Sequence, residues 1–201
     1  MGQVHLILGG ARSGKSSLAE QCAKKLNLPV TYIATAQALD KEMQKRIALH
    51  QQDRPQQWQT LESPLLLGKT IDSLVNETIN KTVDNTQNVG HCILIDCLTL
   101  WLTNCLCQHD LAYFEQEKQQ LLASLINTQK YQNLHIILVS NEVGHGIVPM
   151  GDLSREFVDH SGWLHQAIAE VADKVDFVMA GLPLSLKSVT SLQAEPARGE
   201  I

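Results

Sequence analysis

The sequence predicts an α/β fold in which a mainly parallel sheet is flanked by helices. Two observations support this prediction. Short, continuous runs of aliphatic and β-branched residues recur along the chain, and segments with helical spacing of apolar residues separate them. Unbroken apolar runs are typical of strands that are buried on both faces, as in parallel sheets covered by crossover helices.

The individual elements follow in chain order from these patterns and from their stop signals. The predicted strands are 4–8, 30–34, 91–95, 135–139 and 175–179. The predicted helices are 15–26, 41–52, 65–80, 98–107, 112–128 and 153–172. Pro29 ends the first helical region, Asp40 is the N-cap of the second, and Arg54-Pro55 stops it. The polar stretch 80–90 is predicted to be an exposed loop.

The composition indicates one domain with small-molecule or protein partners. Of the 201 residues, 44% are hydrophobic and 18% charged, and the net charge of −5 gives no electrostatic basis for binding nucleic acid. No apolar run reaches the roughly 18 residues of a membrane helix, and the N-terminus does not resemble a signal peptide, so we expect a cytoplasmic protein. We expect one domain over 1–187 and a flexible tail over 188–201, where hydrophobic periodicity is lost.

The cysteines fit a reducing compartment. There are five of them, no C-x-x-C pair occurs, and most lie in apolar sequence. We therefore expect reduced, buried thiols that pack as small hydrophobic groups.

A phosphate-binding loop follows the first predicted strand. Residues 9–16 read Gly-Gly-Ala-Arg-Ser-Gly-Lys-Ser, which is the G-x-x-x-x-G-K-S pattern in its required place between a strand and a helix. Glycines allow successive backbone N–H groups to point at phosphate oxygens, and the helix N-terminus adds a favourable potential. Lys15 is expected to reach the β- and γ-phosphates, and the Ser16 hydroxyl to bind Mg²⁺. The predicted fold class is therefore a P-loop NTPase of the RecA-like type.

Asp96 is the candidate acidic partner of this loop. It closes a buried apolar run, and the carboxyl ends of parallel strands face the ligand crevice, where a carboxylate can hold the metal. The alternative interpretation is that Asp96 caps the helix predicted from Leu98. Sequence alone leaves both interpretations open.

A phosphate-binding loop is shared by kinases, switch GTPases and motors. The N/T-K-x-D pattern of switch GTPases is missing, because Asn80-Lys81 is followed by Thr82-Val83. The D-x-x-G match at 159–162 lies within a predicted helix. The acidic net charge disfavours a DNA-directed motor.

A histidine on the second predicted helix is a candidate nucleophile. Glu42, Arg46 and His50 are spaced so that they share one helix face. That spacing alone favours an ordinary solvated face. A neutral imidazole can, however, attack phosphorus and form a phosphoramidate, with Arg46 and Arg54 holding phosphate charge.

A set of short motifs extends from residue 4 to residue 187 in one continuous order. It comprises GGARSGKS at 9–16, YIATA at 32–36, RIALH at 46–50 with Arg54-Pro55, Trp58 with Glu62, DCLT at 96–99 with Thr103-Asn104, NEVG at 141–144 with GIVP at 146–149, and AGLP at 180–183 with Leu186-Lys187. Together these motifs resemble the adenosylcobinamide kinase/adenosylcobinamide-phosphate guanylyltransferase family, the bifunctional enzymes of cobalamin nucleotide-loop assembly.

The resemblance implies two reactions: phosphorylation of adenosylcobinamide by GTP or ATP, then transfer of GMP from GTP to adenosylcobinamide phosphate. His50 falls on the family histidine that takes up GMP, and Lys15 serves the triphosphate. Mg²⁺ would be held by Ser16 and Asp96, and the family suggests a homotrimer. The nucleotide-binding residues implied in this way are Gly9, Gly10, Ala11, Arg12, Ser13, Gly14, Lys15, Ser16, Ala34, Thr35, Ala36, Gln51, Gln52, Asp53, Arg54, Glu62 and Asp96.

The chain departs from the family pattern at two places on the last predicted helix. Val158 stands where many relatives have arginine, and Trp163-Leu164-His165-Gln166 replaces their usual Leu-Asn-Gln. Two other functions stay open. One is a P-loop small-molecule kinase without guanylyl transfer, and the other is a non-catalytic nucleotide-binding switch.

Overall fold

The structure is a computed structural model that describes residues 2–37, 44, 54–84, 90–108 and 111–188. Its strands are β1 (Gln3–Gly9), β2 (Val30–Ala34), β3 (Gln59–Glu62), β4 (His91–Asp96), β5 (Leu134–Asn141), β6 (Lys174–Met179) and β7 (Leu182–Lys187). Its helices are α1 (Lys15–Lys25), α2 (Leu67–Asp84), α3 (Leu98–Gln108), α4 (Leu111–Thr128) and α5 (Asp152–Val171). The predicted helix 41–52 (apart from Gln44), its Asp40 cap, and the tail from residue 189 lie outside the described residues.

These strands form one sheet in the order β3-β2-β4-β5-β1-β6-β7. Neighbouring strands are parallel, with the exception of the antiparallel pair β6 and β7. The predicted α/β fold with a mainly parallel sheet is therefore confirmed. None of the described helices combines the length and the apolar character that crossing a membrane requires.

Helices cover both faces of the sheet, which explains the unbroken apolar runs. Successive side chains of a strand point to opposite faces. On β1, Leu6 accordingly joins the core that α2, α3, α4 and α5 cover, whereas Ile7 joins the core under α1. Both side chains are fully buried. The same division of neighbouring residues holds along β4, where Ile93 and Leu94 belong to different cores.

Two strands were not among the predicted ones, and both lie at the edges of the sheet. β3 reads Gln-Thr-Leu-Glu and is largely exposed, so it lacks the apolar signature of a buried strand. In β7, Leu182, Leu184 and Leu186 alternate with other residues, which is a strand period, but they are exposed and Pro183 interrupts the run. Proline is tolerated on an edge strand because no further strand needs its backbone donor.

Two smaller expectations are wrong. α2 continues to Asp84, into the predicted loop 80–90, because no glycine or proline stops it earlier. All five cysteines are free, but Cys107 is exposed, Cys22 is half-buried, and the other three are buried. Cys105 and Cys107 are two residues apart on α3, about 200° around the helix, so they cannot both face the core.

The fold places the predicted site residues at one edge of the sheet. In the paired registers, Gly9 lies opposite Asn141, Asp96 opposite Val139, and Ala34 opposite Asp96. All of these residues lie at or next to the carboxyl ends of parallel strands, where ligand sites of open α/β sheets occur. β5 separates β1, which leads into the phosphate-binding loop, from β4, which ends at Asp96.

Three histidines, of which His5 and His165 are buried and His135 is half-buried, should make the fold less stable in mild acid. Burial is the main cause that lowers the pKa of His5, His135 and His165 below the ordinary value of 6.5. At His5, Lys174 also lowers the pKa, while Asp176, 2.9 Å from Nε2, opposes the shift. The folded state therefore binds fewer of these protons than the unfolded chain as pH falls below about 6.5, and its free energy of unfolding decreases.

The expected result is a lower melting temperature at about pH 5.5 than at about pH 7.5. A His5→Gln variant keeps an N–H donor that can reach Asp176 but cannot titrate, so its melting temperature should depend less on pH than that of the wild type. An equal dependence in both proteins would contradict the role of His5.

Candidate functional site

The phosphate-binding loop connects β1 to α1 as predicted. The Ser13 N–H donates to the Gly10 carbonyl at 3.2 Å, and the Leu18 N–H donates to the Gly14 carbonyl at 3.0 Å, which starts the helix. Ala11 and Arg12 are exposed at the tip, and Ser16 is half-buried in the first turn of α1. The loop therefore turns sharply and presents the N-terminus of an eleven-residue helix at the crevice.

Gly14 is required where it stands. Its φ is +97°, in the left-handed region that other residues rarely adopt, and a Cβ there would lie 3.2 Å from the Cα of Gly181. Gly181 belongs to the turn between β6 and β7, and its N–H donates to the Ser13 carbonyl at 2.8 Å. The phosphate-binding loop thus packs against that turn, a contact between residues far apart in sequence.

Lys15 lies buried beside the loop. Its side-chain amine donates to the Gly10 carbonyl at 3.0 Å, and the residue is only 8% exposed. Burial lowers the pKa of Lys15, and the nearby Asp96 carboxylate opposes the shift. A buried ammonium that shares its donors with one neutral carbonyl can bind phosphate oxygens strongly. The position agrees with the predicted role of Lys15.

Asp96 is joined to Arg54 through one aromatic ring. The Tyr32 hydroxyl donates to Asp96 Oδ2 at 3.0 Å, and the Arg54 guanidinium carbon lies 3.5 Å from the Tyr32 ring centre. Burial raises the pKa of Tyr32, so its hydroxyl stays protonated and donates. Arg54 Nε is buried and has no hydrogen-bond partner within the described part of the chain. Tyr32 thereby connects the two predicted nucleotide-site residues. It belongs to the YIATA motif at 32–36, but the resemblance implied roles only for residues 34–36 of that motif.

Thr35 joins the ends of β2 and β4. Its hydroxyl donates to the Cys97 carbonyl at 2.7 Å and accepts from the Cys97 N–H at 2.9 Å. Asn104 Nδ2 donates to the carbonyls of Thr35 at 2.8 Å and Pro64 at 3.0 Å. Because the Thr35 side chain is fully buried and engaged, it shapes the floor of the site, while Ala34 and Ala36 on either side are half-buried.

A polar chain runs beside the phosphate-binding loop. Thr99 Oγ1 lies 3.2 Å from Ser140 Oγ, which lies 2.7 Å from His165 Nε2. His165 Nδ1 lies 3.4 Å from Glu142 Oε2. The sequence showed His165 only as a departure from a family pattern, and the spacing along the chain could not reveal that it meets Ser140.

The other predicted residues lie further from this centre or outside the described part. Glu62 is exposed at the end of the edge strand β3, paired with Ala34. His50, Gln51, Gln52, Asp53 and Arg46 are outside the described residues. The described residues thus bring together the phosphate-binding loop, Asp96, Arg54 and the segment 34–36.

Comparisons with known proteins agree with the family that the sequence motifs resemble. Residues 5–186 match the family model described as cobinamide kinase / cobinamide phosphate guanyltransferase. The chain is 52% identical over 182 residues to the bifunctional adenosylcobalamin biosynthesis protein CobP of Pseudomonas aeruginosa, covering 90% of this chain and 96% of the relative. It is 36% identical over 191 residues to the bifunctional adenosylcobalamin biosynthesis protein CobU of Escherichia coli, covering 90% and 98%.

A solved structure shares the fold at low identity. A structural-study target from Pyrococcus horikoshii OT3 superposes with a TM-score of 0.54 at 11% identity, covering 94% of this chain and 88% of that one. This similarity supports the arrangement of the sheet and helices alone.

Proposed function

The chain belongs to the cobinamide kinase / cobinamide phosphate guanyltransferase family, and we propose that it carries out both reactions on the adenosyl forms of these substrates. It would phosphorylate adenosylcobinamide with a nucleoside triphosphate and then transfer GMP from GTP to the phosphorylated product. The observation that carries the proposal is the meeting of a complete phosphate-binding loop, Lys15 and Asp96 at one edge of the sheet.

In the kinase step, the loop would bind the triphosphate through its backbone N–H groups, and Lys15 would hold the β- and γ-phosphates. Ser16 and Asp96 supply a hydroxyl and a carboxylate, the oxygen ligands that Mg²⁺ prefers. Bound there, Mg²⁺ would offset the negative charge that the phosphate oxygens develop. The Tyr32 hydrogen bond holds Asp96 toward the crevice without using both of its oxygens.

In the guanylyl step, His50 would attack the α-phosphorus of GTP. A nitrogen–phosphorus bond forms, pyrophosphate leaves, and an oxygen of adenosylcobinamide phosphate then takes the GMP from the imidazole. His50 is four residues from Arg54, and four residues of chain span at most about 14 Å. Arg54 lies on Tyr32 next to Asp96, so this tether supports a position for His50 near the same triphosphate.

The remaining nucleotide contacts are also part of the proposal. We assign them to segments that flank the loop: 34–36, 51–54 and Glu62. Within 34–36 the Thr35 side chain is engaged with Cys97, so contacts from this segment would come from its backbone or from Ala34 and Ala36. We further propose a cytoplasmic homo-oligomer, a trimer by resemblance, and the exposed leucines of β7 offer an apolar edge for such an assembly.

The corrinoid would lie on the side of the loop formed by residues 143–149. A pocket there is lined by this segment together with Arg155, Val158 and Asp159. Ile147 is 97% exposed and Val148 73%, as is suited to the apolar rim of a large macrocycle. The pocket begins one residue after Glu142, whose own N–H is bonded to Gly9 at the start of the phosphate-binding loop.

The test is a two-stage incubation of the full chain. With GTP and Mg²⁺ alone, intact-mass spectrometry should show a gain of one GMP, mapped by peptide analysis to His50. Added adenosylcobinamide should be phosphorylated by ATP or GTP, and the phosphorylated product should then remove the GMP from the protein. Phosphorylation without any adduct would favour the small-molecule kinase. Tight nucleotide binding without either product would favour the non-catalytic switch.

A further inference from the structure

We propose that Glu142 is the base that takes the proton of the acceptor hydroxyl in the phosphoryl-transfer step, and that His165 is the positioning residue for its carboxylate. The proposal rests on the kinase activity proposed above. It concerns two residues outside the loop motif: Glu142, whose backbone is bonded to Gly9, and His165, which lies beside the Glu142 carboxylate.

The backbone places Glu142 beside the reacting phosphate. It follows directly after Asn141, the last residue of β5, which pairs with Gly9. The Glu142 N–H donates to the Gly9 carbonyl at 3.0 Å. Since β5 lies between β1 and β4, Glu142 lies at the carboxyl end of the sheet, between the phosphate-binding loop after β1 and Asp96 at the end of β4. The pocket over residues 143–149 begins next to it. An acceptor bound in that pocket would bring its hydroxyl between Glu142 and the γ-phosphate.

The hydrogen bonds around His165 accommodate a ring that carries its proton on Nδ1. The Asn141 N–H donates to Thr99 Oγ1 at 2.7 Å, so the hydroxyl proton of Thr99 is available to Ser140 Oγ at 3.2 Å. In this arrangement Ser140 donates to His165 Nε2, which lies 2.7 Å from its hydroxyl oxygen. The neutral ring then carries its proton on Nδ1, which lies 3.4 Å from Glu142 Oε2. Burial lowers the pKa of His165, which favours this neutral form.

One carboxylate oxygen of Glu142 has a backbone donor, and the other has His165 Nδ1 nearby, without a hydrogen bond between them. Oε1 accepts the Gly144 N–H at 2.6 Å, and Oε2 faces His165 Nδ1. No lysine or arginine within the described ranges forms an ion pair with it. A carboxylate held in this way keeps lone pairs for a proton, since the Gly144 N–H bonds only one of its oxygens and no described lysine or arginine neutralises it.

Other carboxylates at this edge fit the role less well. Asp96 Oδ2 accepts from Tyr32, and its remaining capacity is assigned to Mg²⁺. Glu62 is exposed at the end of β3, an edge strand separated from β1 by β2, β4 and β5. Glu142 is the carboxylate bonded through its backbone to the first residue of the loop.

The step balances without a further reactant. The acceptor oxygen forms a bond to the γ-phosphorus while its proton passes to a Glu142 carboxylate oxygen. The bond from the γ-phosphorus to the bridging oxygen breaks, and the nucleoside diphosphate leaves with the electron pair. Glu142 then returns the proton to water. A residue that orients and deprotonates the nucleophile is a recurring part of phosphoryl-transfer sites.

The test compares the two half-reactions in Glu142→Gln, with Glu170→Gln as the matched control on the exposed side of α5. The glutamine variant keeps the size and the hydrogen-bond acceptor but cannot take the proton. Its kcat for phosphorylation of adenosylcobinamide should fall by about 10²–10⁴-fold at nearly unchanged KM, while GMP-protein adduct formation from GTP should stay at the wild-type rate. The control should match the wild type in both.

His165 is tested through two variants. His165→Ala should lower the same kcat by about ten- to a hundredfold through misplacement of Glu142, and His165→Asn, whose amide can donate from the Nδ1 position, should recover much of it. Glu142→Asp, with a displaced carboxylate, should fall between the wild type and the glutamine variant, and it substitutes for Glu142→Gln if that protein does not fold.

The outcomes separate this inference from the proposed function. A wild-type protein that fails to phosphorylate adenosylcobinamide contradicts the kinase assignment itself. A wild type that phosphorylates it, together with Glu142→Gln kcat values within about twofold of the Glu170→Gln control, contradicts the base assignment. Equal losses of phosphorylation and of adduct formation in Glu142→Gln would show a general structural role and would also overturn it.

Discussion

Replacing Lys15 with alanine should reduce both phosphorylation of adenosylcobinamide and GMP-adduct formation by at least about 10²–10³-fold. The buried amine lies against the Gly10 carbonyl inside the phosphate-binding loop. Its removal takes away the positive charge that meets the triphosphate, which is common to both reactions. The rates are measured as product formed from ATP or GTP and as protein-bound GMP after brief exposure to labelled GTP.

The matched control is Lys25→Ala, which removes a lysine from the exposed last turn of the same helix. It should leave both rates near those of the wild type. Melting temperatures of both variants should be close to that of the wild type, because Lys15 forms no ion pair on which the fold depends among the described residues. Full adduct formation by Lys15→Ala would show that the two reactions use separate triphosphate sites.

Replacing His50 with alanine should remove the GMP-protein adduct altogether. The imidazole nitrogen is the proposed attacking atom, and alanine offers no nucleophile in its place. In the wild type the adduct should survive alkali and be lost in acid, the behaviour of a phosphoramidate and the opposite of an ester on serine. The measurement is intact mass after incubation with GTP and Mg²⁺, followed by acid or alkali treatment.

An exposed histidine supplies the comparison. His145 lies on the exposed loop after β5, with its ring 5.8 Å from the Phe177 ring. His145→Ala should form the adduct as the wild type does. A GMP adduct that persists in His50→Ala would contradict the assignment of His50 as the nucleophile. The stability of that adduct in acid would then indicate which kind of side chain carries the GMP.

Local patterns were sufficient for the parts of the site that lie close together in sequence. The strand, loop and helix around Gly14 and Lys15 were predicted because glycines, a lysine and an apolar run stand within fifteen or so residues. The buried strands could be predicted for the same reason. The edge strand β3 could not, because its residues are polar and exposed. The leucines of β7 do alternate with the period of a strand, although they are exposed.

Contacts between distant residues were beyond the reach of these patterns. Thr35 meets Cys97 across 62 residues, and Asn104 meets Thr35 across 69. The residue types there are compatible with many environments, so only the register of β2 against β4 brings them together. His165 and Ser140 are a similar case, because α5 must pack on β5 before either polar group has a partner. The Gly14 and Gly181 contact likewise depends on β6 lying next to β1.

β5 lies between β1 and β4 and so sets the distance between the phosphate-binding loop and Asp96. Adjacent strands lie about 4.8 Å apart, so the loop after β1 and the carboxylate after β4 are held about 10 Å from each other. The Lys15 amine donates to the Gly10 carbonyl and not to Asp96, although the Asp96 charge is near enough to oppose the lowering of the Lys15 pKa by burial. A gap is therefore left between these two opposite charges, with no ion pair across it among the described residues. A phosphate group with its cation can enter that gap without first breaking an internal ion pair, so the sheet itself keeps the site ready for its anion.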